Sequence, residues 1–174
     1  MKEILNNIQF ADQVKCLAQS IIQRHADLEH VFFIGIQQGG VVLGDELIRI
    51  LQEAYPAKKI QYGQLDITFY RDDIRKEILA PDTMNIPFPV ENRKVVLIDD
   101  VLFTGRTIKA ALDVLLDYGR PEKVELCVLI DRKEHRQFPI QADYSGMQLT
   151  TNRSDKVKLV KDKSGMKHVV LYSS

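Results

Sequence analysis

Apolar residues form two patterns that alternate along the chain: continuous runs, and residues at helical spacing. Nearly continuous apolar runs are typical of strands buried on both faces of a parallel sheet. Such runs lie at residues 31–36, 94–98 and 124–130, and a further strand is expected within 60–70. Apolar residues at helical spacing predict helices over about residues 10–25, 41–51 and 108–116. This alternation predicts an α/β fold with a doubly wound parallel sheet and flanking helices.

Two segments depart from this alternation. Residues 71–90 hold mixed charges and three prolines in neither pattern, which predicts a long mobile loop or an irregular hairpin. Near the carboxyl terminus, Val157 and Leu159 alternate with polar residues, and so do Val169 and Leu171 beyond a polar turn. This pattern predicts an antiparallel hairpin near 156–172 and, with it, a small hood subdomain beside the main sheet.

Length and composition narrow the possibilities. The 174 residues are enough for one domain, which we expect to span residues 1–174. The 24 basic and 24 acidic residues cancel, so no overall charge attracts nucleic acid and any RNA contact must be local. No apolar stretch approaches the roughly 20 residues needed to cross a bilayer, and the amino terminus does not resemble a signal peptide. We therefore expect a cytoplasmic protein without a membrane partner.

The most distinctive chemistry follows the apolar run that ends at Ile98. Asp99 and Asp100 come next, at the carboxyl end of a strand, where ligands of open α/β sheets bind. Their carboxylates can accept hydrogen bonds from the vicinal hydroxyls of a ribose. A small-residue turn then precedes a helix whose N-terminus can stabilise a phosphate. That turn consists of Thr104, Gly105, Arg106 and Thr107.

Residues 95–107 as a whole resemble the phosphoribosyl diphosphate (PRPP) motif of the type I phosphoribosyltransferases. An acid pair and a Thr-Gly turn can also simply end a strand and cap a helix. The resemblance implies that Asp99 and Asp100 hold the ribose and act in catalysis, and that residues 104–107 hold the 5-phosphate. It also implies Mg²⁺ as the cofactor, carried mainly by PRPP, with the metal ligands of the chain unknown.

Two further segments fit the diphosphate of such a donor. Gly39 and Gly40 follow a strand and precede a helix, where a backbone without side chains can approach a diphosphate closely. With Gln38 they form the predicted diphosphate loop, although a plain helix-entry turn has the same pattern. Arg71 is predicted to neutralise the diphosphate as the mobile loop closes and excludes water.

One branch of the superfamily is more similar than the others. Residues 63–73, 119–121 and 131–146 resemble the pyrimidine operon regulatory proteins with uracil phosphoribosyltransferase activity. The resemblance implies a homodimer or higher homo-oligomer that makes UMP and diphosphate from uracil and PRPP, and that binds the leader mRNA of pyrimidine genes. It places the base near Asp131, Arg132 and Tyr144.

The chain also departs from that branch. Members carry Thr-Arg-Gly where this chain has Gln38, Gly39 and Gly40, so one cation beside the diphosphate is missing. They also carry Lys and Pro near Met147 and Thr150. Two alternatives therefore stay open: a nucleotide-sensing RNA-binding regulator with little catalytic activity, and a phosphoribosyltransferase for purine bases. A basic cluster at 132–136 is predicted to be either an RNA contact or a solvated turn.

Overall fold

The computed structural model of the protein describes residues 1–67 and 84–173. Arg71 and most of the predicted mobile loop at 71–90 lie outside these described residues. The strands are β1 (Lys2–Leu5), β2 (Val31–Ile36), β3 (Gln61–Leu65), β4 (Met84–Asn85), β5 (Lys94–Leu102), β6 (Lys123–Asp131), β7 (Tyr144–Gln148), β8 (Lys156–Lys161) and β9 (Lys167–Tyr172). The helices are α1 (Asn7–Arg24), α2 (Gly39–Ala54) and α3 (Arg106–Tyr118), with a short 3₁₀ helix at Lys133–His135.

The main sheet has six strands in the order β4-β3-β2-β5-β6-β7. Strands β3, β2, β5, β6 and β7 run parallel, and the two-residue strand β4 is antiparallel to β3. Helices α1 and α2 cover one face of this sheet, and α3 covers the other. Each face has its own apolar core, which explains why the central strands are apolar on both sides. The predicted α/β fold class is confirmed.

A second, antiparallel sheet has the strand order β1-β9-β8. In the β8–β9 hairpin, Val157 pairs with Leu171 and Leu159 with Val169, as the apolar alternation predicted. Val157, Leu159 and Val169 are buried in the same core as α1 and α2. The small sheet is therefore anchored to one face of the main sheet by its own apolar side chains.

The structure adds three strands that the sequence pattern did not predict, β1, β4 and β7, and it lengthens β5. Strand β1 is a four-residue edge strand with mostly exposed residues, and β7 contains Ser145 and Gly146, so neither has a strong apolar alternation. Strand β5 does not end at Ile98, because Val101 and Leu102 continue its pairing with β6. The acid pair thus lies within the strand rather than after it.

Helix α1 begins at Asn7, three residues before the predicted start. The Asn6 side chain accepts a hydrogen bond from the backbone N–H of Gln9, and the Gln9 side chain accepts one from the N–H of Asn6. This capping box extends the helix beyond its first buried apolar residue, Phe10. None of the helices in the described part of the chain is long and apolar enough to cross a bilayer.

Candidate active site

A cavity of about 350 Å³ opens at the carboxyl end of the main sheet. Three parts of the chain line it: the end of β5 with the turn into α3, the residue that follows β6, and the start of β8. In residue terms these are Asp99 with 101–108, Arg132, and 155–158. Of the predicted site residues, Asp99, the four residues of the 104–107 turn and Arg132 meet at this cavity. Asp100, the 38–40 loop, Asp131 and Tyr144 do not line it.

The turn before α3 is held in place by backbone contacts. Gly105 has a φ of +90°, a left-handed conformation that favours glycine, and it is the N-cap of α3. The carbonyl oxygen of Thr104 accepts hydrogen bonds from the backbone N–H groups of Gln137 at 2.9 Å and Phe138 at 3.3 Å. The first turn of α3 therefore lines the cavity in a fixed position, with the positive end of the helix dipole directed to that side.

Asp99 and Asp100 turn to opposite faces of the sheet, because successive side chains of a strand alternate. Asp99 is 6% exposed and faces the cavity with the turn before α3. Asp100 faces α2 and the small sheet, and its Oδ2 accepts a hydrogen bond from the backbone N–H of Leu159 at 3.3 Å. Of the two carboxylates predicted to hold the ribose diol, only Asp99 lines this cavity, and the role of Asp100 at the ribose stays a prediction.

The environment of Asp100 is unfavourable for a charged carboxylate. Burial raises the pKa of Asp100, and hydrogen bonds from the backbone of Leu159 and from Asp99 oppose that rise without cancelling it. No cationic side chain among the described residues forms an ion pair with it. Asp100 is thus an acid whose negative charge is only partly compensated by the residues that the structure describes.

The two glycines of the 38–40 loop allow α2 to approach β5 closely. A Cβ atom on Gly40 would lie 2.3 Å from the carbonyl oxygen of Ile98, so the start of α2 touches the backbone of β5. A Cβ atom on Gly39 would lie 2.2 Å from Cγ of Asp100. The predicted diphosphate loop therefore packs directly against the second acid of the pair.

The residues predicted to bind the base make internal contacts. Asp131 is 2% exposed, and its Oδ1 lies 2.5 Å from Nη2 of Arg136. The Arg132 guanidinium donates to Thr151 Oγ1 at 2.7 Å and to the carbonyls of Asn152 and Asp155, both at 3.0 Å. Burial lowers the pKa of Arg132. Arg132 lines the cavity, but its hydrogen bonds mainly fix the segment that leads into β8.

Phe103 is a cavity residue that the sequence analysis did not single out. Its ring lies under the Arg132 guanidinium, 3.8 Å from the guanidinium carbon to the ring centroid, and its backbone carbonyl accepts a hydrogen bond from Arg136. This stacked geometry is that of a cation–π contact. A lone Phe inside a turn of small residues carries no periodic signal, so only the fold reveals its position.

The basic cluster predicted at 132–136 is not an exposed patch. Arg132 and Arg136 point inward, and Nε2 of His135 lies 2.9 Å from the carbonyl oxygen of Thr151. Lys133 is the one residue of these four whose side chain is exposed to solvent. Three of its four basic residues make internal contacts, and the choice between an RNA contact and a solvated turn stays open.

Tyr144, which is predicted to contact the base, lies away from this cavity. It pairs with Cys127 of β6, four residues before that strand ends, so it lies about 13 Å from the carboxyl edge of the sheet. Its hydroxyl donates to Glu125 Oε2 at 2.6 Å, and burial raises the pKa of Tyr144. Its strand position and this buried contact separate Tyr144 from the cavity.

Glu125 is the centre of that second polar cluster. It is 3% exposed, with His25 Nε2 at 2.8 Å from Oε2 and Lys123 Nζ at 2.8 Å from Oε1. Burial alone raises its pKa, but hydrogen bonds from Lys123, Tyr144 and His25 outweigh burial and lower the pKa of Glu125 to about 2. This carboxylate is therefore held in its charged form by the chain itself.

The cavity also contains cations from the carboxyl-terminal hairpin. Lys156 and Lys158, at the start of β8, line it together with Arg106 and Arg132. The acids that line it are Asp99 and Asp155, which leaves a surplus of two positive charges. The arrangement offers a buried carboxylate, a helix N-terminus and excess positive charge, which suits a ligand with both hydroxyl and phosphate groups.

Comparison with known proteins agrees with this geometry. The family model of the phosphoribosyl transferase domain matches residues 1–161. The chain is 47% identical over 146 residues to the "Bifunctional protein PyrR" of Desulfosudis oleivorans, covering 83% of this chain and 80% of that protein. It is 44% identical over 148 residues to the protein of the same name from Geobacter sp. strain M21, covering 84% and 82%.

Solved structures share the fold. A hypoxanthine-guanine phosphoribosyltransferase from Bacillus anthracis superposes with a TM-score of 0.69 at 20% identity, covering 86% of this chain and 84% of that one. The hypoxanthine phosphoribosyltransferase of Trypanosoma cruzi gives a TM-score of 0.70 at 17% identity, covering 98% and 95%. Identities this low support the fold alone. With the family match and the similarity to the two bacterial relatives, they lead to one conclusion: this chain belongs to the type I phosphoribosyltransferases and, among them, to the PyrR family.

Proposed function

We propose that this protein transfers the phosphoribosyl group of PRPP to uracil, giving UMP and diphosphate. The observation that carries the proposal is the cavity in which Asp99 faces the N-terminus of α3 under a surplus of positive charge. PRPP combines a ribose diol with phosphate groups at both ends, so each feature of the cavity has a counterpart on the donor. Uracil as the acceptor rests on the resemblance to the PyrR branch.

In this reaction the bond between C1 of the ribose and the diphosphate breaks as N1 of uracil bonds to C1, and the N1 proton passes to the departing diphosphate or to solvent. Positive charge grows on the sugar in the transition state. Asp99 accepts hydrogen bonds from the ribose hydroxyls and places its negative charge near that sugar. The N-terminus of α3 holds the 5-phosphate, so the sugar is fixed at both ends, and rate acceleration comes mainly from positioning and charge stabilisation.

The base is proposed to lie beside Phe103 and Arg132, which line the same cavity. The diphosphate is proposed to reach the 38–40 loop, whose close packing against Asp100 supports a shared role. Arg71 keeps its proposed role at the diphosphate, although it lies outside the described residues.

Mg²⁺ is proposed to enter with PRPP. The metal binds through one or two carboxylates when substrate phosphates and water supply its other oxygen ligands, and the Asp99 carboxylate beside the cavity fits such a role. When bound, Mg²⁺ neutralises the phosphate charge of the donor. The chain then needs only to hold the ribose and to exclude water.

A second activity, binding of pyrimidine leader mRNA when UMP is present, is proposed from the word "Bifunctional" in the names of both bacterial relatives. We also propose a cytoplasmic homodimer or higher homo-oligomer. The missing cation at Gly39 favours the alternative in which the nucleotide site serves mainly as a sensor. A purine-base phosphoribosyltransferase is the remaining alternative.

The deciding experiment measures diphosphate release with PRPP and Mg²⁺ and one of four bases: uracil, adenine, hypoxanthine or xanthine. We expect turnover with uracil and none above background with the purines. Turnover with a purine only would overturn the assignment of the base. If no base reacts while UMP still binds in a calorimetric titration, the protein is the sensor and not the enzyme.

RNA binding is tested by titrating labelled pyrimidine leader RNA at several salt concentrations, with and without UMP. A protein that contacts several phosphates loses affinity steeply as salt rises. We expect tighter binding with UMP and a clear negative slope of log affinity against log salt. A slope near zero in both conditions would contradict this second activity.

A further inference from the structure

Lys156 and Lys158 line the cavity, and no contact described so far gives their side chains a role. They alternate along β8 with Val157 and Leu159, whose buried side chains anchor the strand to the core. The two lysines are therefore on the polar face of the strand, and both line the cavity at the end of the sheet. Val157, between them, also lines the cavity, so both faces of the start of β8 border it, while the exposed lysines supply its charge.

The other two cations of the cavity have internal partners. Nε of Arg106 donates to Gln137 Oε1 at 2.9 Å, and Arg132 makes three hydrogen bonds to the segment before β8. The side-chain ammonium groups of Lys156 and Lys158 make no hydrogen bond or ion pair with any residue in the described ranges 1–67 and 84–173. Their charges are thus available to a ligand in the cavity.

Strand β8 is a firm support for these two side chains. It pairs with β9 over its whole length, from Lys156 opposite Tyr172 to Lys161 opposite Lys167. The backbone N–H of Leu159 also donates to Asp100, which ties β8 to β5. The residues before β8 are held by Arg132. Because the backbone of β8 is held in place, its charged side chains need little conformational change to bind a ligand.

We propose that Lys156 and Lys158 bind the 5-phosphate of phosphoribosyl compounds, from the side opposite the N-terminus of α3. The inference rests on the proposed function, because that function places a 5-phosphate at residues 104–107. Lysine ammonium groups form strong charge-assisted hydrogen bonds with phosphate oxygens. The 38–40 loop does not line this cavity, so the geometry points to the 5-phosphate rather than the diphosphate.

The test compares two double variants of equal charge loss. Lys156→Gln with Lys158→Gln removes the cavity lysines. Lys161→Gln with Lys163→Gln removes two exposed lysines of the same hairpin that do not line the cavity. Each protein is titrated by calorimetry with ribose 5-phosphate, UMP, uridine and inorganic diphosphate, after circular dichroism has verified that it is folded.

For the cavity variant we expect a loss of about ten-fold or more in affinity for ribose 5-phosphate and for UMP. Its affinity for uridine and for diphosphate should stay within two-fold of the unmodified protein. The control variant should bind all four ligands normally. Equal losses in both variants would mean that net charge acts at long range, and this would overturn the proposal.

Two other outcomes would also overturn it. If the cavity variant loses affinity for diphosphate but not for ribose 5-phosphate, the lysines serve the other end of the donor. If UMP binding is unchanged, the lysines bind no phosphate. Because ribose 5-phosphate contains no base, a selective loss of its binding supports the inference even if the base assay shows no turnover, so failure of the proposed reaction is distinguishable from failure of this inference.

Discussion

Glu125 and Asp100 are buried acids on the neighbouring strands β6 and β5, but they differ in the charged and hydrogen-bonding partners around their carboxylates. Glu125 has His25 and Lys123 within 2.8 Å, and its pKa is lowered to about 2. Asp100 receives a backbone hydrogen bond from Leu159, and burial keeps its pKa raised. Glu125 lies near the start of its strand, whereas Asp100 lies near the carboxyl end, next to the cavity.

We infer from this difference that Glu125 is a structural acid and that Asp100 belongs to the proposed substrate site. A buried carboxylate that is matched by cations of its own chain stabilises the fold and needs no ligand. A carboxylate with incomplete compensation costs stability until a ligand or metal supplies the missing charge or donor, and such groups are concentrated at binding sites. On this basis the Glu125 cluster holds the strands and α1 together, while the acid pair of β5 is proposed to serve the substrate.

The largest effect is expected on stability at Glu125. Glu125→Gln should lower the free energy of unfolding by about 3 kcal/mol at neutral pH, because it leaves Lys123 and His25 beside a neutral amide. Urea unfolding followed by circular dichroism measures this change. Phosphoribosyl transfer by the folded variant should be unchanged, since the cluster does not reach the cavity.

The same substitution should remove an acid-dependent loss of stability. The folded-state pKa of Glu125 is about 2 against an ordinary value of 4.5, so its stabilisation is complete above pH 4.5 and is lost as pH falls through about 2. The exposed Glu122→Gln is the matched control and should behave like the unmodified protein. A steep acid transition that persists in Glu125→Gln would assign it to another group.

The next largest effect is expected on catalysis at Asp99. Asp99→Asn replaces one acceptor oxygen by an amide donor, and we expect kcat/KM for PRPP to fall about 30-fold, or about 2 kcal/mol. The free energy of unfolding should change little. Steady-state kinetics over a range of PRPP concentrations measures the effect, with the exposed Asp117→Asn as control. Unchanged kinetics in the folded variant would reject a role for Asp99 at the ribose.

A smaller effect is expected where the diphosphate loop touches the acid pair. Gly39→Ala puts a methyl group 2.2 Å from the position of Asp100 Cγ, so the carboxylate must move. We expect kcat/KM to fall about ten-fold. In a double-mutant cycle with Asp100→Ala, the Gly39→Ala substitution should cost nothing further, because the clashing group is gone. Additive losses would show that Gly39 acts independently of Asp100.

The sequence predicted the layers of the fold because burial dictates them. The strands β2 and β6 and the hairpin of β8 and β9 follow from apolar periodicity, which is the pattern that a two-faced core imposes. Strands β1 and β7 escaped prediction because an edge strand is mostly exposed and needs few apolar residues. Helix α1 began early because a capping box, rather than an apolar face, fixes its first turn.

The site was harder to predict than the fold, because the sequence does not show to which face of the sheet each side chain points. The motif at 95–107 correctly brought Asp99 and the turn before α3 to one cavity. Adjacency in sequence suggested that Asp100 acts beside Asp99, but continuation of β5 to Leu102 turns the two to opposite faces. Tyr144 lies close in sequence to Asp131 and Arg132, yet β7 begins opposite the middle of β6. Register of this kind depends on pairing with distant strands.

The smallest effect is expected to have the opposite sign. Burial raises the pKa of Asp100, so its charge at neutral pH destabilises the folded protein. Asp100→Asn keeps an oxygen that can accept from Leu159 and removes the charge, so the free energy of unfolding should rise by about 1 kcal/mol. Urea unfolding at pH 7 measures the gain. The gain should shrink as pH falls through the folded-state pKa of Asp100, because protonation then neutralises the unmodified protein as well. A loss of stability in Asp100→Asn would mean that the folded chain compensates this acid as fully as it does Glu125, and the contrast between the two acids would no longer mark the substrate site.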